Sequence, residues 1–179
     1  NNTPIFLDTL ASNTGGLWQE NTTCVFTGGS YHVLVQQPNF LQICSASGLS
    51  VNNAAVEIDV SLLSGNDAGL LFRAHGDQFY DFEITNQGEF LLRRHNAGSG
   101  ASYTYLIQNT KSSAINAGSN KNTLLVIASG DDFKLYINGF YVGETHDELL
   151  ASGQIGLVAG TLANGTGEAS FANLKIFKS

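Results

Sequence analysis

Charged residues in one central stretch stand at alternate positions, the spacing that places side chains on a single face of a β-strand. The stretch covers residues 68–95, AGLLFRAHGDQFYDFEITNQGEFLLRRH, and the residues are Arg73, Asp81, Glu83, Arg93 and His95. Carboxylates and guanidinium groups arranged in this way form bidentate hydrogen bonds to vicinal hydroxyl groups. The same array is also typical of surface ion pairs that keep a sheet face soluble and add little stability. The sequence leaves both interpretations open.

The positions between these charged residues are apolar, so each strand has a second, hydrophobic face. These apolar residues are Leu70, Phe72, Tyr80, Phe82, Ile84, Phe90 and Leu92. Turn residues at 75–78 and 86–88 divide the stretch into three successive strands. A sheet with one apolar and one charged face is typical of half a β-sandwich.

The composition predicts an all-β protein that forms a single domain over residues 1–179. The chain has 20 Gly and only 2 Pro, and no window has a sustained helical period. Asn138–Gly139 is a strong hairpin signal because a type I′ turn needs positive φ at both central residues. We count about a dozen strands with turn signals at the spacing of a sandwich.

Charge and hydropathy narrow the choice of partners. The net charge of −7 argues against nucleic-acid binding, which needs clustered Lys and Arg. No apolar run approaches the roughly 20 residues that span a bilayer, so we expect no membrane insertion. The chain lacks Met and begins at Asn1, which we interpret as a processed or excised piece.

Cys24 and Cys44 are the only cysteines, and we expect them to form a disulfide. The segment between them reads as a local strand meander that brings the two sulfurs together across neighbouring strands. A disulfide closing a loop of this length stabilises by roughly 3 kcal/mol in the chain-entropy model. The alternative is a pair of buried free thiols. With the low overall charge, the disulfide predicts a secreted, extracellular protein.

Several motifs occur in an order that resembles a known fold family. They are GLLFR at 69–73, YDFEI at 80–84, the Asn138–Gly139 turn, SGQIGL at 152–157 and FANLKI at 171–176. From Ala54 onward the chain resembles concanavalin A-like, laminin G-like domains. More narrowly, it is similar to secreted bacterial domains of the 3-keto-disaccharide hydrolase-like and fructan-binding-module group. The resemblance implies a jelly-roll β-sandwich of two antiparallel sheets. It says less about function, because this fold carries many activities.

The resemblance also bears on metal binding. Related domains often carry an acidic residue in the last strand that contributes to a structural calcium site, where this chain has Ala172. Its absence argues against that site, although Asp8 with backbone carbonyls is an alternative cation site. The four histidines form no metal-spaced pair, so we expect no cofactor and leave any metal site undefined.

Two catalytic patterns are incomplete. Glu57–Ile58–Asp59 resembles the catalytic strand of laminarinase-type β-glucanases, E-I-D-x-x-E, but Leu62 stands in place of the second Glu. Retaining hydrolysis needs both carboxyls, so Glu57 and Asp59 are expected to face outward and the protein is not expected to be an enzyme. Ser–His–Asp chemistry cannot be placed either, because the sequence has no nucleophile elbow.

Tyr103 and Tyr105 alternate on one strand face and are our candidate stacking platforms, while Trp18 is expected to cover one end of the core. Our hypothesis is a non-catalytic extracellular recognition module that binds carbohydrate through the charged face or nearby loops. The first alternative is a structural or adhesive protein that binds proteins or copies of itself, through the segment before Asp8 or the sandwich edges. A glycosidase-like enzyme is the last alternative.

Overall fold

A computed structural model describes residues 3–98 and 102–179, and all regular secondary structure within these ranges is β-strand. The strands found there, in chain order, are β1 (Phe6–Asp8), β2 (Cys24–Thr27), β3 (Ser30–Val35), β4 (Leu41–Val51), β5 (Ala54–Ser64), β6 (Asp67–His75), β7 (Gln78–Thr85), β8 (Glu89–His95), β9 (Tyr103–Lys111), β10 (Asn122–Ser129), β11 (Asp132–Ile137), β12 (Phe140–His146), β13 (Gly153–Gly160) and β14 (Gly167–Lys178). No helix in these ranges is long and apolar enough to cross a membrane.

The strands form two antiparallel sheets. The first has the order β12-β11-β10-β5-β14-β3-β2, with β1 also paired to β14, and the second has the order β4-β13-β6-β7-β8-β9. Strands that are distant in sequence are neighbours in both sheets, as in a jelly roll. The predicted all-β jelly-roll sandwich of two antiparallel sheets is therefore confirmed.

The three central strands predicted from alternation are confirmed as β6, β7 and β8. They pair in register, with Leu70 opposite Phe82 and Phe82 opposite Leu92. Their predicted apolar residues all lie in the main core between the two sheets. Fourteen strands are found where about a dozen were counted, and Asn138–Gly139 forms the expected turn between β11 and β12.

The disulfide between Cys24 and Cys44 is confirmed, but its structural role differs from the expectation. Cys24 lies in β2 of the eight-stranded sheet and Cys44 in β4 of the six-stranded sheet, with their Cα atoms 5.7 Å apart. The expected local meander is wrong because β4 leaves the first sheet and pairs with β13. The bond therefore ties the two sheets together rather than two neighbouring strands.

Trp18 covers part of the core, as expected. Its ring is buried against Tyr31, with the ring centroids 5.3 Å apart. The indole N–H donates a hydrogen bond to Asp8 Oδ2 at 2.9 Å, which satisfies its polar group. This contact fixes the segment before β2 against β1.

Candidate binding groove

A groove of about 940 Å³ lies on the face of the six-stranded sheet that points away from the core. All six strands contribute to its lining, from Leu41 and Ile43 on β4 to Tyr103 and Tyr105 on β9. Its volume is at the upper end of the range for small-molecule sites. We call this feature the groove.

Strand alternation explains which side chains face the groove. Phe82 and Leu92 point into the sandwich core, so the adjacent positions on β7 and β8 point outward. Arg93 and His95 line the groove, and Asp81 and Glu83 lie beneath Arg93 on the same side of the sheet. The structure therefore brings together four of the five charged residues singled out from the sequence.

Arg93 is the centre of this cluster and is only 9 % exposed. Its Nε donates to both carboxylate oxygens of Asp81, at 3.1 and 3.0 Å, and its Nη2 donates to Glu83 Oε2 at 2.7 Å. The Asp67 carboxylate lies 3.6 Å from Nη2, and Nη1 donates to the Tyr105 hydroxyl at 3.4 Å. A planar guanidinium with this many fixed partners has little freedom to rotate. Arg93 is thus preorganised at the floor of the groove.

Three carboxyl groups surround this single guanidinium, which affects their protonation. Burial raises the pKa of Glu83 well above its ordinary value, and the negative charges of Asp67 and Asp81 raise it further, although Arg93 opposes the shift. Glu83 Oε1 is buried and accepts no hydrogen bond within the described residues. Burial alone lowers the pKa of Arg93, but Glu83 and Asp81 more than reverse this, so the net shift is upward. The cluster therefore keeps Arg93 charged and makes Glu83 easier to protonate than an ordinary glutamate.

The two predicted tyrosines form the wall beside Arg93. The Arg93 guanidinium lies 4.1 Å from the Tyr103 ring centroid and 5.9 Å from the Tyr105 ring centroid, both within cation–π range. Burial raises the pKa of Tyr103 to about 12, although Arg93 opposes the shift, so this phenol remains protonated at neutral pH. Tyr105 is 39 % exposed and presents its ring to solvent.

His95 continues this aromatic wall. Its ring stacks on Phe79 at 4.8 Å with an interplanar angle of 7°, and it meets the Tyr103 ring edge-on at 4.9 Å. His95 Nδ1 is hydrogen-bonded to the backbone carbonyl of Asp77, so the imidazole is held in place. These contacts make His95 a positioned part of the wall.

The expectation that Arg73 shares this charged face is wrong. The pairing of β6 with β7 is irregular between Phe72 and His75, and Arg73 has a positive φ of 51°. This bulge turns the side chain to the end of the sandwich, where it is 1 % exposed. Its Nη1 donates to the carbonyls of Gly130 and Leu150, at 2.8 and 3.0 Å, and its Nη2 donates to the Asn52 carbonyl at 3.1 Å. Arg73 therefore holds the loops at that end together and does not line the groove.

Asp81 and Glu83 lie on the predicted face, but direct ligand contact by either residue is not supported. Both are fully buried, because Arg93 and its neighbours cover them. Their carboxylates bind the guanidinium from below. We therefore assign them the positioning of Arg93, which faces the groove in their place.

Apolar side chains, which the sequence analysis missed, also line the groove. They are Leu41, Ile43 and Phe79, which pack with Leu71 and Val158 in a small cluster separate from the main core. The sequence contained a signal for this apolar lining, because Leu71 and Phe79 stand at the alternate positions assigned to the charged face. The strand order that brings β4 and β13 beside them could not be read from alternation.

The pair from the incomplete glucanase motif lies elsewhere, as expected. Glu57 and Asp59 are on β5 of the other sheet, on the face turned away from the core. Glu57 lies 3.6 Å from Lys175 Nζ, and Asp59 lies 3.7 Å from Lys121 Nζ. These carboxylates therefore do not contribute to the groove.

The same outer face carries a hydrogen-bonded serine and histidine that the sequence did not reveal. Ser30 Oγ lies 2.9 Å from His32 Nε2, and His32 Nδ1 lies 2.8 Å from Glu168 Oε2. Ser30 Oγ also bonds to Ser170 Oγ at 2.7 Å. The connectivity is that of a catalytic triad, but none of these residues lines the groove, and catalysis also needs a substrate pocket and oxyanion donors. We interpret the network as a polar surface cluster.

No group of three or more His, Cys, Asp or Glu side chains suited to a metal ion occurs within residues 3–98 and 102–179. Both carboxylate oxygens of Asp8 already accept hydrogen bonds. Leu10 N donates to Oδ1 at 2.8 Å, and the Trp18 indole N–H donates to Oδ2. Asp8 therefore has a structural role in linking β1 to the segment that follows.

Comparison with known proteins identifies the fold. No protein-family model matches the chain, and no curated protein matches it either. Among solved structures, the carbohydrate binding module CBM66 from Bacillus subtilis has 23% identity and a TM-score of 0.71, over 90% of this chain and 95% of that chain. The catalytic domain of an endo-1,3-β-glucanase (laminarinase) from Thermotoga petrophila has 8% identity and a TM-score of 0.72, over 100% of this chain and 98% of that chain.

A protein of unknown function with a galectin-like fold, from Bacillus subtilis, has 12% identity and a TM-score of 0.72, over 99% of this chain and 98% of that chain. Binding modules and glycoside hydrolase domains thus share this architecture at low identity. The likeness therefore establishes the fold but not the activity. The chain has the concanavalin A-like β-sandwich fold.

Proposed function

We propose that this protein is an extracellular carbohydrate-binding module and that the groove is its binding site. The observation that carries the proposal is the position of Arg93, whose guanidinium lies at the groove floor, 4.1 Å from the Tyr103 ring centroid. Sugars are bound through hydrogen bonds to their hydroxyl groups and through stacking of their C–H faces on aromatic rings. Arg93 supplies the first contact, and Tyr103, Tyr105 and Phe79 supply the second.

The burial of Asp81 and Glu83 supports a binding role rather than hydrolysis. Glycoside hydrolysis needs two carboxyls that reach opposite sides of the scissile bond. These two are covered by Arg93, and the pair Glu57 and Asp59 lies on the other sheet. Neither of these two carboxyl pairs can therefore flank a bond in the groove, and we propose that the module is non-catalytic. The disulfide supports an extracellular location, because such bonds persist in oxidising compartments.

A glycan array followed by titration calorimetry tests this proposal. We expect wild-type protein to bind at least one glycan, Arg93→Lys to weaken that binding at least tenfold, and Tyr105→Ala to weaken it several-fold. Lys cannot reproduce the bidentate contacts that hold the Arg93 guanidinium in place. Tyr141→Ala is the matched control, since Tyr141 is an exposed tyrosine on β12, outside the groove.

Three results would contradict the proposal. Absence of glycan binding by the folded wild-type protein would refute carbohydrate recognition. Release of reducing sugar from the bound glycan, measured over hours, would refute the non-catalytic role. Equal losses in the Tyr105 and Tyr141 variants would place binding outside the groove.

A second function, recognition of another protein or self-assembly, rests on a different surface. β12 is an edge strand of the eight-stranded sheet, and its residues Phe140 and Tyr141 are 65 % and 53 % exposed. Exposed apolar residues on an edge strand favour strand addition. Of the segment before Asp8, Phe6 and Leu7 are already paired with β14, and Asn1 and Asn2 lie outside the described residues. Concentration-dependent light scattering that disappears in Phe140→Lys would favour this function.

A further inference from the structure

A second apolar contact lies at the edge of the groove opposite the tyrosines. Phe40 and Leu162 both line the groove there, and they are 40 % and 60 % exposed. Phe40 immediately precedes β4, the edge strand of the six-stranded sheet, whereas Tyr105 lies on β9 at the other edge. The two apolar contacts are therefore separated by the full width of the sheet.

The loops that carry Phe40 and Leu162 are fixed to one another. Thr161 is buried, and its hydroxyl donates to the Gln37 carbonyl at 2.6 Å and accepts from Phe40 N at 3.3 Å. Backbone bonds from Thr161 N to the Phe40 carbonyl and from Asn39 N to the Leu162 carbonyl, at 2.9 and 2.8 Å, complete the link. Because these loops are already ordered, a ligand that contacts them does not need to pay their ordering entropy.

The width of the sheet sets the length of ligand that can touch both edges. Six strands with a spacing of about 4.8 Å span roughly 24 Å across the sheet. A hexose unit of a linear chain adds about one strand spacing, so a ligand that reaches from Tyr105 to Phe40 contains about five units or more. A single terminal sugar contacts only one edge.

The charge of the groove limits which oligosaccharides it can bind. Asp67, Asp77 and Glu89 line it, and Arg93 already binds the carboxylates of Asp81 and Glu83. Its positive charge is therefore compensated within the protein, and the protein as a whole carries a net charge of −7. A polyanionic glycan meets no uncompensated positive region here, so the surface favours an uncharged chain.

We propose that the groove binds an uncharged, linear oligosaccharide that lies across the strands, and that Phe40 and Leu162 form a second subsite at the edge opposite the tyrosines. This inference rests on the proposed carbohydrate-binding function and adds the chain length and charge of the ligand. Phe40 and Leu162 then determine the preference for long oligosaccharides, whereas Arg93 and the tyrosines bind oligosaccharides of every length.

Calorimetry with size-fractionated laminari-, fructo-, xylo- and manno-oligosaccharides, from disaccharide to hexasaccharide, tests this inference. For the series that binds, we expect the affinity to rise with length up to about the pentasaccharide and then to level off. Phe40→Ala is expected to weaken hexasaccharide binding about tenfold and to leave disaccharide binding unchanged, because only the long chain reaches it. Phe140→Ala is the matched control, since this exposed phenylalanine lies outside the groove. Alginate oligosaccharides of equal length are expected to bind more weakly.

The outcomes separate this inference from the function on which it rests. Equal affinity for all lengths, with no effect of Phe40→Ala, would overturn the second subsite and leave carbohydrate binding intact. Stronger binding of alginate than of every neutral series would overturn the assignment of an uncharged ligand. Failure of all five series to bind the folded wild-type protein would count against the proposed function and this inference together.

Discussion

Arg73 and Arg93 are both buried arginines, and the sequence placed them on one face, yet they serve two different regions of the molecule. Arg93 lies under the groove and binds the carboxylates of Asp81 and Glu83. Arg73 lies at the end of the sandwich and binds three backbone carbonyls. One region combines opposite charges beside an open surface, and the other uses a single charge to close loops. The comparison shows that a buried charged residue can be assigned to a binding site or to a structural role only from its partners and from the surface that it lies beside.

The cause of the difference is one irregular position in β6. Gly153 on the neighbouring strand leaves room for the bulge, since a Cβ there would lie 2.4 Å from the Arg73 carbonyl carbon. Arg93 lies in a stretch of β8 that keeps regular pairing with β7, so alternation predicts its side correctly. Alternation therefore holds until a bulge changes the direction of the side chain.

Arg93→Met is expected to have the largest effect, because it leaves the buried carboxylates without their cation. We expect the free energy of unfolding to fall by about 3–5 kcal/mol. Glycan binding should be lost as well. Urea unfolding and calorimetry measure the two effects separately.

A compensated variant tests whether the buried carboxylates cause the loss of stability in Arg93→Met. Adding Asp81→Asn and Glu83→Gln to Arg93→Met removes the buried negative charges, so stability should largely recover while binding does not. Recovery of binding in this triple variant would show that Arg93 does not contact the ligand. An Arg93→Met protein as stable as wild type would contradict the assigned ion pairs.

Arg73→Met is expected to have an intermediate effect that is confined to stability. It leaves carbonyl acceptors unpaired, including that of the buried Leu150, and should cost about 2–3 kcal/mol in urea unfolding. Glycan affinity should stay within about twofold of wild type, because the side chain does not line the groove. A large loss of affinity with unchanged stability would reverse the assignment of the two arginines.

The smallest expected effect is the contribution of the Arg93 cluster to the pH dependence of stability, which has no counterpart at Arg73 because the carbonyls that Arg73 binds do not titrate. The ordinary pKa of a glutamic acid side chain is 4.5, and that of Glu83 in the folded protein is higher. Between these two values the folded protein keeps a proton that the unfolded chain loses. The contribution of Glu83 to the free energy of unfolding therefore decreases as the pH rises above 4.5.

Glu83→Gln resembles the protonated side chain, so we expect it to flatten this decrease in urea unfolding measured across the pH range. Glu148→Gln, which replaces an exposed carboxylate, is the matched control and should follow the wild-type profile. A Glu83→Gln profile that is parallel to wild type would show that Glu83 does not hold the proton.

Much of the fold was predictable because strand alternation and turn chemistry are local. The apolar positions from Leu70 to Leu92 predicted the core face of three strands, and Asn138–Gly139 predicted a hairpin. The same alternation placed Tyr103 and Tyr105 on one face of their strand, and the structure brings that face to Arg93. The burial of Asp81 and Glu83 did not follow, because it depends on the groove walls and on Arg93 above them.

Other features depend on contacts between segments that are distant in the chain. The disulfide joins two sheets because β4 pairs with β13 rather than with β3. The network of Ser30, His32 and Glu168 forms across β3 and β14, and His32 and Glu168 are 136 positions apart. No local pattern indicates either contact.

The sequence by itself determined the strands, their core faces and the class of sandwich, because these depend on the two-residue period of a β-strand and on turns of two or three residues. Only the tertiary structure decided that Arg93 faces a groove while Arg73 closes the end of the sandwich. It also decided that Phe40 and Tyr105 stand at opposite edges of one surface. Those outcomes depend on strand order and on a single bulge, and both are set by packing between distant segments.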